Sequence, residues 1–229
     1  MKILSIDTAS NICSVALLEN GNIIKELNID NEKTLSEKLM PLVKEIFEVT
    51  HTKLEHINLI ACDKGPGSFT GIRIGVSSAK AIAQVLDIPT LGISSLDGLA
   101  YNLELINGTI CSLIDARNNQ VYCGIFDNEY NLLEDYIADD INIAIEHLKK
   151  YKNITFVGNG AIIHKTLLQS NLNNIHFSNK NNLSSYNIGR CAYKKYLEGE
   201  KENADTLSPL YLRKSQAERM KDLNGSHND

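Results

Sequence analysis

The sequence predicts an α/β fold built from two related halves, each a mixed sheet flanked by helices. Three observations carry this. The chain opens with three short apolar runs separated by turn signals, then changes to strand–helix alternation, the pattern of a sheet that combines antiparallel and parallel strands. A unit of strand, aspartate, polar turn and strand occurs twice. Ile6-Asp7-Thr8-Ala9-Ser10-Asn11 leads into the run at 12–18, and Ile114-Asp115-Ala116-Arg117-Asn118-Asn119 leads into the run at 121–126. A unit of strand, glycine turn and helix also occurs twice, around Gly65-Pro66-Gly67 and around Gly158-Asn159-Gly160. Asn107-Gly108 separates the copies, which places one domain at 1–107, a second at 108–213 and a polar tail at 214–229.

Ile3-Leu4-Ser5-Ile6 is the first strand. The runs at 12–18 and 22–27 are joined by Asn20-Gly21, a dipeptide suited to the left-handed angles of a two-residue hairpin. Thr34-Leu35-Ser36-Glu37 is a capping box and opens a helix with Leu35, Leu39, Leu42, Val43 and Ile46 on its apolar side. Pro41 falls inside that helix and is expected to kink it. His51 and His56 follow, five residues apart in a loop; they share no helical face and read as surface residues.

Leu59-Ile60-Ala61-Cys62 has the length and character of a buried strand. Gly65-Pro66-Gly67 then forces a sharp turn, and Ser68 or Thr70 can cap the helix that follows. Asp87-Ile88-Pro89 stops this helix near residue 86. Gly71, Gly75, Ala79 and Ala83 recur every fourth residue as a stripe of small side chains. Each glycine costs about 1 kcal/mol against alanine in a helix interior, so the stripe predicts another backbone close by. The opposite face carries Ile72, Val76 and Ile82. Apolar character almost all round predicts burial on more than one side. The helix is then either a core element or one that meets its own sheet on one face and a partner protein on the other. The helix with Leu39 is similar: Met40 and Phe47 also need cover. On the partner reading, Leu39, Met40, Val43, Gly71, Gly75, Val76 and Ala79 form the contact. Gly75→Leu is then expected to leave the fold intact and weaken association.

A further helix is expected at 95–105. In the second half, strands are expected at 110–114, 121–126 and 154–157 and helices at 140–150 and 161–169. The segment 171–187 is rich in Asn and Ser and reads as loop, with a short strand at Ile175-His176-Phe177. A helix at 188–198 is stopped by Gly199. Pro209-Leu210-Tyr211-Leu212-Arg213 reads as an ordered ending, and 215–223 as a stretch with helical character.

With 43% hydrophobic and 22% charged residues, the 229-residue chain has the balance of an ordinary globular protein. Its net charge of −5 argues against a protein that grips a nucleic-acid backbone unaided. Cys13, Cys62, Cys111, Cys123 and Cys191 are scattered and form no Cys-x-x-Cys pair, as expected of reduced thiols in a cytoplasmic protein. No signal-peptide pattern opens the chain, and no run approaches the roughly 20 apolar residues of a membrane span.

The segment Gly65-Pro66-Gly67-Ser68-Phe69-Thr70-Gly71-Ile72-Arg73-Ile74-Gly75 resembles the signature loop and helix of the TsaB (YeaZ-type) family, tRNA threonylcarbamoyladenosine biosynthesis subunits. The resemblance extends over nearly the whole chain, is most specific from 65 to 99, and includes Pro209–Arg213. The duplicated strand–aspartate unit is similar to that of the actin, hexokinase and Hsp70-like ATPases, which bind ATP between two such halves. The catalytic relative TsaD follows the equivalent helix and strand with a His-x-x-Gly-His metal-binding pattern. Here the matching residues are Ser95-Leu96-Asp97-Gly98-Leu99. Leu99 offers no donor atom, and a neutral serine hydroxyl is a poor transition-metal ligand beside imidazole.

The resemblance therefore implies a non-catalytic scaffold with no metal and no cofactor of its own. It would dimerise with a TsaD-like catalytic subunit, which modifies N6 of adenosine 37 in tRNAs reading ANN codons. A TsaE-like ATPase, tRNA and ATP or ADP would join through the complex. Apart from the resemblance, apolar patches of this kind seldom stay exposed, so two copies of this chain are expected to pair through the same surface when the partner is missing. The alternative is an ATP-dependent small-molecule kinase or transferase, with Asp7 and Arg117 contacting nucleotide or phosphate. Against it, the turns after Asp7 and Asp115 lack the glycines that let a backbone approach phosphate closely. The Gly65–Gly67 loop is neither a Walker A loop nor a dinucleotide fingerprint, and no Gly-x-Ser-x-Gly points to hydrolysis.

Overall fold

A computed structural model describes residues 1–30 and 35–213. Thr34 of the expected capping box and the tail from 214 onward lie outside the described residues. Strands β1 (Lys2–Asp7), β2 (Ile12–Glu19), β3 (Asn22–Asp30), β4 (Leu59–Asp63) and β5 (Thr90–Ile93) form one sheet in the order β3-β2-β1-β4-β5. Strands β6 (Thr109–Asp115), β7 (Gln120–Phe126), β8 (Ile137–Asp140), β9 (Ile154–Val157) and β10 (Ile175–Phe177) form the second, in the order β8-β7-β6-β9-β10. In each sheet the first three strands in chain order are antiparallel and the last two join in parallel. The two sheets thus correspond strand for strand in order and direction, and the repeat read from the sequence is a duplicated topology.

Helices α1 (Leu35–Thr50) and α2 (Phe69–Leu86) cover one face of the first sheet. Their buried residues, among them Leu39, Leu42, Val43, Ile46, Ile72, Val76 and Ala83, pack on Leu4, Ile6, Val15, Leu17, Ile60 and Cys62. The strand residues between these point the other way. Ile3, Ala16, Leu18, Leu59 and Ala61 meet Ile188, Cys191 and Ala192 of α7 (Ser185–Leu197). Helix α3 (Ser95–Ala100) lies against the second sheet, its Leu96 and Leu99 packing on Ile110, Phe126 and Val157. Helices α4 (Ile141–Leu148) and α6 (Lys165–Asn171) close the outer face of that sheet through Ile141, Ile145, Leu148 and Leu168, while α5 (Asn159–Ile163) packs against β6. Helix α7 comes late in the sequence yet belongs spatially to the first sheet.

Helix α1 runs unbroken through Pro41. Helix α3 is shorter than expected. After Tyr101 the chain turns, and the Asn102 side chain donates to the carbonyls of Lys180 and Asn182. The helix read at 161–169 is two, divided at His164, whose φ of −97° and ψ of 13° leave the helical region. Strand β8 was not foreseen, because Ile137-Ala138-Asp139-Asp140 carries little apolar signal.

The described chain ends in a strap. Glu202 exchanges backbone hydrogen bonds with Thr90 at the edge of β5, Leu207 is fully buried in the first core, and Leu210 N–H donates to Lys64 O at 2.7 Å. Tyr211 stacks on Phe69 with ring centroids 4.9 Å apart and accepts from Arg73 Nε.

Candidate functional site

The candidate site is the loop 64–68, which joins β4 to α2 and packs on the turn after β1, together with helices α1 and α2. Gly65 adopts φ +102°, an angle L side chains rarely hold. Ser68 caps α2 by accepting from Gly71 N–H, as its position in the sequence indicated. The loop and first turns of α2 then press on the turn after β1: Ser68 N–H donates to Ala9 O, and the Thr8 hydroxyl donates to Gly71 O at 2.7 Å. A β-carbon on Gly67 would overlap Ala9 O, one on Gly71 would overlap Thr8 O, and one on Gly75 would overlap the Thr8 hydroxyl. The predicted close approach of a backbone exists, and the backbone is the chain's own.

This places the seven residues expected to meet a partner. Gly71 and Gly75 face Thr8, and Leu39, Val43, Val76 and Ala79 are core residues between helices and sheet. Met40 alone is exposed, at 48%. The small-residue stripe therefore serves packing within the chain. The outward surfaces of α1 and α2 carry different residues: Val49 is 50% exposed and Val85 is 82% exposed, with Phe47, Ile74 and Ile82 half-buried. Periodicity identified which residues share a helical face. It carried no signal for which face the sheet would claim.

Beneath the loop sits a carboxyl pair. Asp7 ends β1 and Asp63 ends the adjacent parallel β4, in register through Ile6 and Cys62. Both are fully buried. Ala9 N–H donates to Asp7 Oδ1 at 2.9 Å, and Gly65 N–H donates to Asp63 Oδ1 at 2.7 Å. The Ser95 hydroxyl lies 2.7 and 2.9 Å from the two Asp63 oxygens. Among the described residues Asp7 Oδ2 meets no hydrogen-bond partner apart from the Asp63 carboxyl beside it. Burial, then the charge of Asp63, pushes the Asp7 carboxyl well above the usual carboxylate range. Burial pushes Asp63 up to about 6, opposed by the hydrogen bonds from Ser95 and Gly65. Two buried carboxyls set side by side resist both being ionised, which favours one proton held by the pair. Enclosed in this way, Asp7 has no surface to offer a ligand in this conformation.

Ser95 thus spends its hydroxyl on Asp63, and Leu99 is buried between the lobes against Gly158. Among the described residues no group of three His, Cys, Asp or Glu side chains stands close enough to hold a metal ion. Arg117 lies exposed in the β6–β7 turn, the first of three consecutive residues with positive φ, and its N–H donates to Asp115 Oδ1. Asp97 was not singled out by the sequence pattern. It joins α3 to α7 and to the β7–β8 connection: Tyr136 Oη donates to Asp97 Oδ1 at 2.5 Å, and Lys195 Nζ stands 3.3 Å from Oδ2.

Comparison with known proteins finds related chains. A sequence model of the family described as "TsaD: tRNA N6-adenosine threonylcarbamoyltransferase" matches residues 30–221. The chain is 35% identical over 224 residues to the tRNA threonylcarbamoyladenosine biosynthesis protein TsaB of Bacillus subtilis, covering 95% of this chain and 96% of that one. Among solved structures, YeaZ from Pseudomonas aeruginosa superposes with a TM-score of 0.76 at 22% identity, covering 92% of this chain and all of that one. A polyphosphate/ATP-glucomannokinase from Arthrobacter shares the fold at a TM-score of 0.54 and 10% identity, covering 86% of this chain and 99% of that one.

Proposed function

The chain belongs to the TsaB family of tRNA threonylcarbamoyladenosine biosynthesis proteins, and from that premise we propose that it is a non-catalytic subunit of the modifying complex. It pairs with a TsaD-like catalytic subunit through the outward faces of α1 and α2. That subunit transfers the threonylcarbamoyl group to N6 of adenosine 37 in tRNAs reading ANN codons. A TsaE-like ATPase and tRNA join the assembly, and ATP or ADP enters with them. The observation that carries this reading is the outer layer itself: Met40, Val49 and Val85 project from two helices whose other sides already fill a core. Helices α1 and α2 pack side by side, and exposed apolar side chains that adjoin in one patch mark an interaction surface.

The non-catalytic part of the reading is supported by Ser95 and Leu99. One is committed to a buried carboxylate and the other to an apolar cluster. The test is co-purification with the TsaD-like protein, followed by an assay of modified tRNA with each subunit omitted in turn. The expected result is a complex whose product formation needs both proteins, while the purified chain alone hydrolyses no ATP. ATP hydrolysis by this chain that is lost in Asp7→Ala would overturn the reading in favour of a kinase or transferase.

A further inference from the structure

A shallow, open depression of about 400 Å³ lies where the two lobes and α7 meet. The first lobe contributes the β2–β3 hairpin with Asn20 and Asn22, the connection between the lobes contributes Tyr101, and the second lobe contributes Glu129 and Tyr130. Helix α7 adds Arg190, Tyr193 and Lys194, which at spacings of three and four residues share one helical face. The depression's place at the junction between the lobes is one that small-molecule sites favour.

Its position separates it from the carboxyl pair. In the first sheet Asp7 pairs with Ser14 and Lys2 with Glu19, so the hairpin after Glu19 lies at the end opposite Asp7. In the second sheet Asp115 pairs with Val121 and Ile110 with Phe126, so Glu129 and Tyr130 lie at the end opposite Asp115. The depression therefore sits behind both sheets, away from the ends that carry the two aspartates.

The walls have a distinct chemistry. Tyr101 and Tyr130 stack with centroids 4.2 Å apart, and the Arg190 guanidinium lies 5.6 Å over Tyr101 and 5.5 Å over Tyr186. Tyr193 lies under Gly21, where a β-carbon would overlap its ring. Lys194 is held toward the second lobe by Glu129 O at 2.7 Å. Arg190 bonds Tyr101 O and stands 3.3 Å from Glu104, which is 63% exposed. Tyrosine rings, two carboxamides and the Glu129 carboxylate line the depression with two cations, each within 4.0 Å of an exposed carboxylate, Glu104 or Glu198; a planar polar ring that carries an anion would compete with those carboxylates for Arg190 and Lys194.

We propose that this junction binds a nucleoside phosphate, with Arg190 and Lys194 on the phosphate and the tyrosine wall beside the base. The source is a free mononucleotide or an unstacked nucleotide of RNA. Because each lobe supplies part of the wall, an occupied site fixes the angle between the lobes. The inference does not depend on the subunit role proposed above.

The probe is AMP, titrated into the full chain at low ionic strength by calorimetry, with adenosine, inorganic phosphate and single-stranded oligoadenylate as parallel arms. AMP should bind, with adenosine and phosphate each at least about tenfold weaker. Lys194→Glu and Arg190→Gln should each weaken AMP at least about tenfold, with circular dichroism confirming that the variants are folded. Asp7→Asn should bind AMP as the native chain does. Oligoadenylate binding tighter than AMP assigns RNA as the source, and equal or weaker binding assigns the free nucleotide. Absence of AMP and oligoadenylate binding, or binding that both charge variants leave unchanged, overturns the site.

Discussion

Gly75 of α2 faces the side chain of Thr8 from the first polar turn, with no room between them for a β-carbon. The same hydroxyl donates to the carbonyl of Gly71 one turn earlier. The glycine stripe is therefore the seat of the β1–β2 turn, and the sequence-based expectation for Gly75→Leu has to be revised. A leucine there collides with its own chain before it can disturb a partner. Urea denaturation should show a loss of about 1–3 kcal/mol or more, the range for overpacked cores, with Gly71→Ala affected in the same direction. A Gly75→Leu variant as stable as the native chain would contradict this packing.

Association should instead respond on the outward side. Met40→Asp combined with Val85→Asp changes residues that the chain's own core does not use. The double variant should keep native stability within about 0.5 kcal/mol, as surface changes do. It should also lose co-elution with a TsaD-like partner in size-exclusion chromatography. Retained co-elution would remove this surface from consideration.

The Asp7–Asp63 pair predicts a pH dependence with a definite sign. Both carboxyls sit above their usual range in the folded chain, Asp63 at about 6. The folded state then holds protons that the unfolded state has released, so stability falls as pH rises from about 4 through 6 and beyond. The Asp63 shift alone corresponds to a loss on the order of 3 kcal/mol. Asp7→Asn, which replaces a proton-bearing carboxyl with a neutral amide, should flatten this fall and raise the stability at pH 8. Chemical denaturation across pH 4–8 reads both effects. A stability that climbs steadily over that window in the native chain, and is unaltered in the variant, would rule the shared proton out.

The strap supplies another test. Leu207→Ala empties a fully buried position in the first core and should cost about 2–5 kcal/mol. Tyr211→Ala removes a ring that is 43% exposed and stacked on Phe69, and should cost less. Thermal melting of the two variants gives the comparison, and equal shifts would mean that the strap is held mainly at its end.

Much of the fold was legible because its signals are local. Asn20-Gly21 announced the first hairpin, and Ser68, one of two cap candidates beside Thr70, brackets α2 with Asp87. The repeated strand–aspartate–turn pattern announced the duplicated sheet. What could not be read depends on partners distant in sequence. The end of α3 is set by Asn102 reaching carbonyls near residue 180. The role of the glycines is set by Thr8, more than 60 positions earlier. The carboxyl pair needs β1 and β4 brought side by side, which no spacing between residues 7 and 63 encodes. The same holds for the outward faces of α1 and α2, since an amphipathic pattern fixes the angle between residues and leaves the helix free to rotate.

Leu207 places a C-terminal side chain in the core of the lobe that is written first. During synthesis the strands of that lobe emerge early, but its interior cannot be completed until residue 207 has been made. The early lobe must therefore wait, with a gap beside α2, for its last residues to arrive. A message truncated shortly before codon 207 would yield a product that has every strand of both sheets and still lacks the piece that closes the first.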